Sequence, residues 1–565
     1  MGIAHFFKWF RTTFNMNISY LTKGQILTDT GVVIDTLMLD MNGLYHTAAQ
    51  KAFEYGEFKP NPRMLNLFPR PTIPKEEREQ MLYETVCQMV ESIMKTVQPA
   101  KRVVLCVDGP APRSKQNQQR QRRFRAAGEK TQEELDTFDS NCITPGTKFM
   151  DRLSRHIDNF IKNKIQKSPE WKNLEIVFSD EKAPGEGEHK LMNYIRLFGN
   201  KEEKYCIVGA DADLIMLTLA TKMPNFYLLR PDMYSRTNEY FVINIGEVAK
   251  TLAKVMEWKG DSFNANCVID DFVLMCFLAG NDFLPHSPTI EIIEGGITTL
   301  IEVYKKVCTQ YGHLTQKING ACWFLPVAFG EFLRELSKYE KLTLEKKLER
   351  GGFHPDHILE AHAVKNGPRY KLDIDSYRKD YSAASFDKYG ASEKKVCHEY
   401  LEGLQWVLYY YTRGVYNWKW CYPYHYAPFA FHLCKHINSF KMPEHTQTVP
   451  YLPFQQLLFV LPPKSAKLLP EPLDKLLTDE DSALKPFCPE KLIIDLSGKR
   501  NDWEGIVLIP LIDPDIVQKE YLLLKDQLSD EALKRNRVGR TFVYTYSDVL
   551  SAMFNLNLYI QLIDI

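Results

Sequence analysis

Four short runs rich in β-branched and other apolar residues recur in the N-terminal half of the chain, and each one delivers the backbone to an acid. Leu37-Met38-Leu39 runs into Asp40, and Val103-Val104-Leu105-Cys106-Val107 runs into Asp108. Leu174-Glu175-Ile176-Val177-Phe178 leads into Ser179-Asp180, and Tyr205-Cys206-Ile207-Val208-Gly209 leads into Ala210-Asp211. Runs of this length, separated by helical stretches, read as buried strands of a mostly parallel α/β sheet flanked by helices. An open α/β sheet binds ligands beyond the carboxyl ends of its strands. Three of the four strands put an Asp at that edge and the fourth enters an acidic loop, so the same segments give the fold class and the place to look for a site.

Further acids accompany them. Pro184-Gly185-Glu186-Gly187-Glu188-His189-Lys190 is a glycine-spaced turn that carries two carboxylates into a helix. Asp213 follows Asp211, and Gly280-Asn281-Asp282 supplies one more. Asp40, Asp108, Glu186, Glu188, Asp211, Asp213 and Asp282 exceed what general acid–base chemistry requires, and together in one pocket they would repel each other strongly. Divalent cations resolve the conflict. Hard oxygen ligands suit Mg²⁺ or Mn²⁺, and two such ions about 4 Å apart can activate a water and stabilise the leaving oxygen of an in-line displacement at phosphorus. A lone strand-end Asp more often caps a helix. Two closely spaced acid pairs together with two strand-end Asp residues favour the metal reading.

Lys+Arg and Asp+Glu both total 71, so a nucleic-acid footprint has to be local rather than global. The stretch Arg113-Ser114-Lys115-Gln116-Asn117-Gln118-Gln119-Arg120-Gln121-Arg122-Arg123-Phe124-Arg125 supplies one, with six basic residues and no acid. Lys115, Gln119, Arg122 and Arg123 fall on one face of a helix, a donor set suited to a terminal phosphate. A solvated basic face is the commoner meaning of such a run; its position directly after the Asp108 strand favours phosphate binding. His46 lies one or two helical turns past Asp40 and is a candidate to stack on a base, with Trp418 or Trp420 as its counterpart. Most residues of an aromatic-rich block are core. His189 and His286 are expected to make local hydrogen bonds rather than to act as ligands.

The chain divides into a catalytic domain over residues 1–300, a helical connector over 301–394 that includes the Lys338–Arg350 stretch, and a second segment over 395–565. That segment is dense in aromatics and carries α/β-like pieces at Leu492-Ile493-Ile494-Asp495 and Ile506-Val507-Leu508-Ile509-Pro510. The twelve cysteines show no C-x-x-C pair and read as free thiols. No apolar run approaches the roughly 20 residues that span a bilayer. The N-terminus has no secretory pattern, and Phe6 breaks the myristoylation pattern, so no membrane role is expected and the location reads as cytoplasmic, with the nucleus still open.

These residues fall into motifs that resemble the Xrn-type 5′-to-3′ exoribonucleases. The resemblance rests on Leu39-Asp40-Met41-Asn42-Gly43 with His46, and on Asp108-Gly109-Pro110-Ala111-Pro112-Arg113 continuing to Arg125. It continues through Ile143-Thr144-Pro145-Gly146-Thr147, Pro184 to Lys190, Asp211-Ala212-Asp213-Leu214-Ile215 and Gly280-Asn281-Asp282-Phe283-Leu284-Pro285-His286. In the second segment it includes Gly403-Leu404-Gln405-Trp406-Val407-Leu408, Tyr422-Pro423-Tyr424-His425-Tyr426-Ala427-Pro428, Leu461-Pro462-Pro463-Lys464-Ser465 and Asn501-Asp502-Trp503-Glu504.

The resemblance implies a PIN/5′-nuclease-like sheet with the aromatic-rich segment packed against the active site. It also implies hydrolysis of single-stranded RNA bearing a 5′-monophosphate to mononucleotides, with two Mg²⁺ or Mn²⁺ ions, as in mRNA decay. By the same resemblance the seven acids are metal ligands, and Lys115, Gln119, Arg122 and Arg123 form the 5′-phosphate pocket. His46 stacks on the first base opposite Trp418 or Trp420. The connector is shorter than in large family members, no accessory domain follows residue 565, and the zinc-knuckle insertion of some nuclear members is missing, so a minimal catalytic core is expected, with no protein partner indicated. Two alternatives stay open: a flap-type DNA 5′ nuclease, disfavoured by Phe283-Leu284-Pro285-His286-Ser287-Pro288 after Asp282, and an RNA-binding scaffold without chemistry.

Overall fold

A computed structural model describes residues 5–61, 73–233, 235, 237–260, 262–444, 446–553 and 561–563. Its centre is a nine-stranded sheet made of β1 (Ile18–Thr22), β2 (Thr36–Asp40), β3 (Arg102–Cys106), β4 (Glu175–Ser179), β5 (Tyr205–Val208), β6 (Phe226–Pro231), β7 (Asn238–Asn244), β8 (Thr541–Tyr544) and β9 (Gln561–Ile563). The spatial order is β1-β7-β6-β5-β2-β3-β4-β8-β9. Strands β2 to β6 run parallel to one another, and the pairs at both margins are antiparallel.

The four strands expected from apolar runs are the central ones, and they alternate between two cores. Leu37 and Leu39 face one cluster and Met38 the other; Val103 and Leu105 pair against Val104 and Cys106 in the same way. A period of two with both faces apolar is what a sheet covered by helices on each side demands. From β2 the chain steps outward to β3 and β4, then returns to the other flank of β2 for β5 and β6. The strand order therefore reverses between β2 and β5, and at such a switch point the loops separate and leave a crevice. Asp40 ends β2, register-paired with Cys106 of β3, while Leu39 pairs with Val208 at the end of β5. The strand-end acids consequently gather at one edge, around that crevice.

The stretch 301–394 is mainly helical, with helices Gly296–Tyr311, Pro326–Ser337, Glu340–Arg350 and Ile374–Phe386. Two hairpins, Thr315–Ile318 with the largely buried Ala321–Phe324 and the exposed Ala363–Asn366 with Arg369–Leu372, interrupt it. It is not an independent linker: Phe329, Phe332, Leu333 and Phe386 share one core cluster with Met38 and Val104 of the sheet. The expected α/β pieces of the last segment reduce to a two-residue ladder, Ile494–Asp495 with Ile506–Val507, and the same segment sends β8 into the main sheet beside β4. All twelve cysteines are free thiols. Among the described residues no helix is long and apolar enough to cross a membrane.

Candidate active site

Helices that build the site are numbered here as α1 (Met41–Phe53), α2 (Arg113–Gly128), α3 (Gly187–Phe198), α4 (Asp213–Thr221), α5 (Ala265–Phe277), α6 (Glu393–Thr412) and α7 (Pro453–Val460). Asp40 both ends β2 and caps α1, its Oδ1 accepting the Asn42 N–H at 3.2 Å. Capping and membership of the acid cluster are thus compatible. Asn42 also clamps Asp108: its Nδ2 donates to Asp108 Oδ2 at 2.9 Å and its Oδ1 accepts the Asp108 N–H at 2.9 Å. The other Asp108 oxygen accepts the Gly187 N–H at 2.7 Å, from the first residue of α3. Here a side chain is forbidden by proximity: a Cβ on Gly187 would lie 2.5 Å from Asp40 Oδ1 and 3.1 Å from the Cys106 carbonyl oxygen.

The turn into α3 then supplies Glu186 and Glu188 from opposite sides of this contact. Glu186 Oε1 accepts the Tyr410 hydroxyl of α6 at 3.0 Å. The ammonium of Lys115, on α2, sits 2.6 Å from Glu186 Oε2 and 2.7 Å from Asp282 Oδ2, in the loop after α5. Glu188, Asp211 and Asp213 each offer an oxygen, all within 4.8 Å of one another; Glu188 and Asp213 are buried and Asp211 is exposed. The structure therefore brings all seven sequence-predicted acids to one edge of the sheet.

Their protonation shows the strain of that crowding. Burial, then Asp108 and Asp211, hold the Asp40 carboxyl well above its ordinary range. Burial, then Asp213, does the same to Glu188; burial, then Asp282 and Asp211, raises Asp213 to about 7. Asp282 shifts the other way: burial pushes it up, but Lys115 above all outweighs that and brings it to about 2. The donors are all carboxylate oxygens, several desolvated, a set that fits a hard divalent cation. One consequence is measurable. A buried acid whose folded pKa is raised stabilises the fold fully below its unfolded pKa of about 4, and that contribution is lost as pH rises through the folded value. Chelator-treated protein should melt at a higher temperature at pH 5.5 than at pH 8, and added Mg²⁺ should restore most of the loss at pH 8. A chelated protein equally stable at both pH values would contradict this electrostatic picture.

The α2 helix divides by face. Arg113, Gln116, Arg120 and Phe124 turn into the core beside α7; Arg113 donates to the Ile512 carbonyl, and Arg120 donates to the carbonyls of Phe459 and Phe487. Two of the six basic residues counted in the sequence are therefore structural. On the predicted phosphate face, Gln119 is buried with Oε1 unpartnered, and Arg123 is buried with Nη1 donating to Thr144 Oγ1 at 2.5 Å and Nε unpartnered. Arg122 is exposed and forms no ion pair among the described residues. Lys115 departs from the expected grouping, because its ammonium is engaged by the two carboxylates. His46 lies within electrostatic reach of Arg122 and Arg123; burial, then these arginines, pushes its imidazole down to about 3, so the ring is neutral.

The structure separates the two tryptophans. Trp420 is 7% exposed and stacks on Trp406 with ring centroids 5.1 Å apart, a core position. Trp418 is half-buried, and its carbonyl accepts the Arg113 N–H at 2.8 Å, beside the start of α2. His286 makes the expected local hydrogen bonds, Nδ1 with the Ser287 carbonyl and Nε2 with Lys499, both at 3.0 Å. His189 does not: neither ring nitrogen has a partner, and the ring lies flat on Tyr410 at 3.6 Å with an interplanar angle of 3°. Burial depresses its pKa well below the usual value, so a neutral, stacked imidazole is the low-energy state.

Three residues of the site were not singled out in the sequence. Asn42 had a signal, an amide two residues after a strand-end acid. Lys190, buried, donates to the carbonyls of Val107 and Asp180 at 2.7 and 2.8 Å and ties the ends of β3 and β4 together beneath the cluster. Tyr410 had no local signal at all.

The chain matches the family model described as the XRN 5'-3' exonuclease N-terminus over residues 1–232. It matches that of the Xrn1 helical domain over residues 262–371 and 362–561. It is 30% identical to the 5'-3' exoribonuclease 2 homolog of Drosophila melanogaster, across 96% of this chain and 73% of that protein. It is 29% identical to 5'-3' exoribonuclease 1 of Schizosaccharomyces pombe, across 98% of this chain and 51% of that protein. With 5'-3' exoribonuclease 1 of Homo sapiens the identity is 28%, across 97% of this chain and 35% of the human protein.

Proposed function

This chain belongs to the XRN 5'-3' exonuclease family, and from that premise we propose that it is a metal-dependent 5′-to-3′ exoribonuclease. Its substrate is single-stranded RNA with a 5′-monophosphate, and its products are mononucleotides. The observation that carries this reading is the convergence of seven carboxylates and the donor face of α2 on one sheet edge, joined through Lys115.

Two Mg²⁺ or Mn²⁺ ions would be held by Glu188, Asp211 and Asp213 on one side and by Asp40, Asp108, Glu186 and Asp282 on the other. Bound there, such ions activate water and neutralise the charge that develops in an in-line displacement. The protein's own contribution is position. Gln119, Arg122 and Arg123 grip the terminal phosphate, which fixes the distance from the 5′ end to the phosphodiester lying over the acids, so each cut removes one nucleotide. His46, kept neutral, offers an uncharged ring to the first base, and Trp418 is the better placed of the two tryptophans to meet a later one. A pocket built for one phosphate leaves no room for a triphosphate or a cap.

The test is a time course with Mg²⁺ on one RNA carrying a 5′-monophosphate, a 5′-hydroxyl or a 5′-triphosphate, beside a 5′-phosphorylated DNA flap. Rapid release of mononucleotides from the monophosphate RNA alone is the expected result. Preferential cutting of the flap would move the protein to the structure-specific DNA nucleases, and no cleavage of any substrate would leave a binding scaffold. In the same assay Arg122→Ala should cut the preference for monophosphate over hydroxyl ends about 10- to 100-fold, the value of one charge-assisted hydrogen bond. An unchanged preference would remove Arg122 from the pocket.

A further inference from the structure

Lys115 has two claims on it. Its place on α2 aligns it with Gln119, Arg122 and Arg123, one and two turns further on. Its ammonium, however, lies 2.6 Å from Glu186 and 2.7 Å from Asp282, and the three side chains are 13%, 2% and 10% exposed. One ammonium cannot serve a terminal phosphate and bridge two carboxylates at the same time.

We infer that Lys115 is a two-position switch, bridging Glu186 and Asp282 in the resting protein and moving to the phosphate of a bound 5′-monophosphate end, so that the phosphate itself opens these carboxylates to a second divalent cation. The inference rests on the proposed nuclease function and adds to it a coupling between end recognition and ion occupancy. Exclusion is steric and electrostatic. A Mg²⁺ ion sits about 2.0–2.1 Å from its oxygen ligands, so an ion on the two oxygens that Lys115 holds would be pressed against the ammonium.

Lys115 cannot simply withdraw, because a buried ammonium without an anion is strongly disfavoured. A terminal phosphate, with about two negative charges at neutral pH, provides the replacement partner. The other cation position differs. Lys115 bridges Glu186 and Asp282, and neither Glu188 nor Asp213 enters an ion pair with it.

The two cation positions are therefore inequivalent with respect to Lys115, which closes one of them until substrate draws it away. Linkage makes the coupling reciprocal, and couplings of this kind are typically about 5- to 150-fold. A 5′-hydroxyl end cannot trigger the exchange, so it should be discriminated against in the chemical step as well as in binding.

The test is Mn²⁺ binding to the full chain, read from the electron paramagnetic resonance of free Mn²⁺, with adenosine 5′-monophosphate or adenosine as probe. One tight ion per chain is expected without probe. Saturating adenosine 5′-monophosphate, corrected for its own Mn²⁺ binding, should tighten a second site by at least about fivefold, and adenosine should not. Lys115→Met should bind the second ion without probe, and the monophosphate should then change nothing. Two sites of the same affinity with and without the monophosphate would overturn the switch, using wild-type protein alone. So would a folded Lys115→Met protein with an unchanged second site. Absence of any Mn²⁺ binding would bring down the proposed function itself, a distinguishable failure.

Discussion

Replacing Asp211 with alanine should slow RNA hydrolysis by about three orders of magnitude or more, equivalent to roughly 4 kcal/mol of transition-state stabilisation. The melting temperature should stay within about 2 °C of the parent. Asp211 contributes one of three carboxylate oxygens lying within 4.8 Å of one another, so its removal leaves a cation there with two protein ligands. It is also the exposed member of that group, in the turn between β5 and α4, so no core packing is lost. Its removal also takes one negative charge out of an over-charged cluster, since Asp211 helps raise both Asp40 and Asp213. Single-turnover degradation and a thermal melt on the same sample decide the matter: retained turnover would sink the metal assignment of Glu188, Asp211 and Asp213.

Gly187→Ala should be nearly as damaging, by a different route. The added methyl would lie 2.5 Å from Asp40 Oδ1, closer than such atoms tolerate, so the start of α3 must retreat or Asp40 must turn. Either movement breaks the 2.7 Å hydrogen bond from the Gly187 N–H to Asp108 and displaces Glu186 and Glu188 on either side of it. Misplacement of catalytic groups by about 1 Å can cost about 100-fold in rate, and overpacking a tight site costs about 1–3 kcal/mol of stability. Both effects are expected together, as a rate loss of at least about 100-fold and a lowered melting temperature. Gly43→Ala is the control. Gly43 lies inside α1, three residues past Asp40, where a Cβ meets nothing within 4 Å, so it should be neutral or stabilising by about 0.5–1 kcal/mol. Equal behaviour of the two variants would show that Gly187 is ordinary helix and that the close approach to Asp40 is unimportant.

The legible parts of this molecule were those whose signal is local. An apolar run of four or five residues buried on both faces has few alternatives to a central strand, and β2, β3, β4 and β5 all appear where their runs lie. The elements without that signal are these: β6 ends in Pro231, β7 is only partly buried, the hairpin at 315–324 is exposed along most of its first strand, and the hairpin at 363–372 is largely exposed. Their strand character comes from a neighbour rather than from their own pattern. The same limit applies to side chains. Trp418 and Trp420 are two residues apart in an aromatic-rich stretch, and only the packing of Trp406 against one of them distinguishes core from rim.

By itself the sequence determined that a parallel sheet would present acids at its carboxyl edge and that α2 would carry Gln119, Arg122 and Arg123 on one face. Each of these depends on the covalent spacing of residues within a single element. Only the tertiary structure decided that β2 lies between β3 and β5, which brings Asp40 and Asp211 to the same crevice. It also decided that Tyr410, 224 residues from Glu186, would donate to it, and that Lys115 would bridge Glu186 and Asp282 instead of lying free on its helix face. Periodicity records which side of an element is buried. It carries no record of the partner, because the partner is chosen by packing and by the need of each desolvated charge for an opposite one.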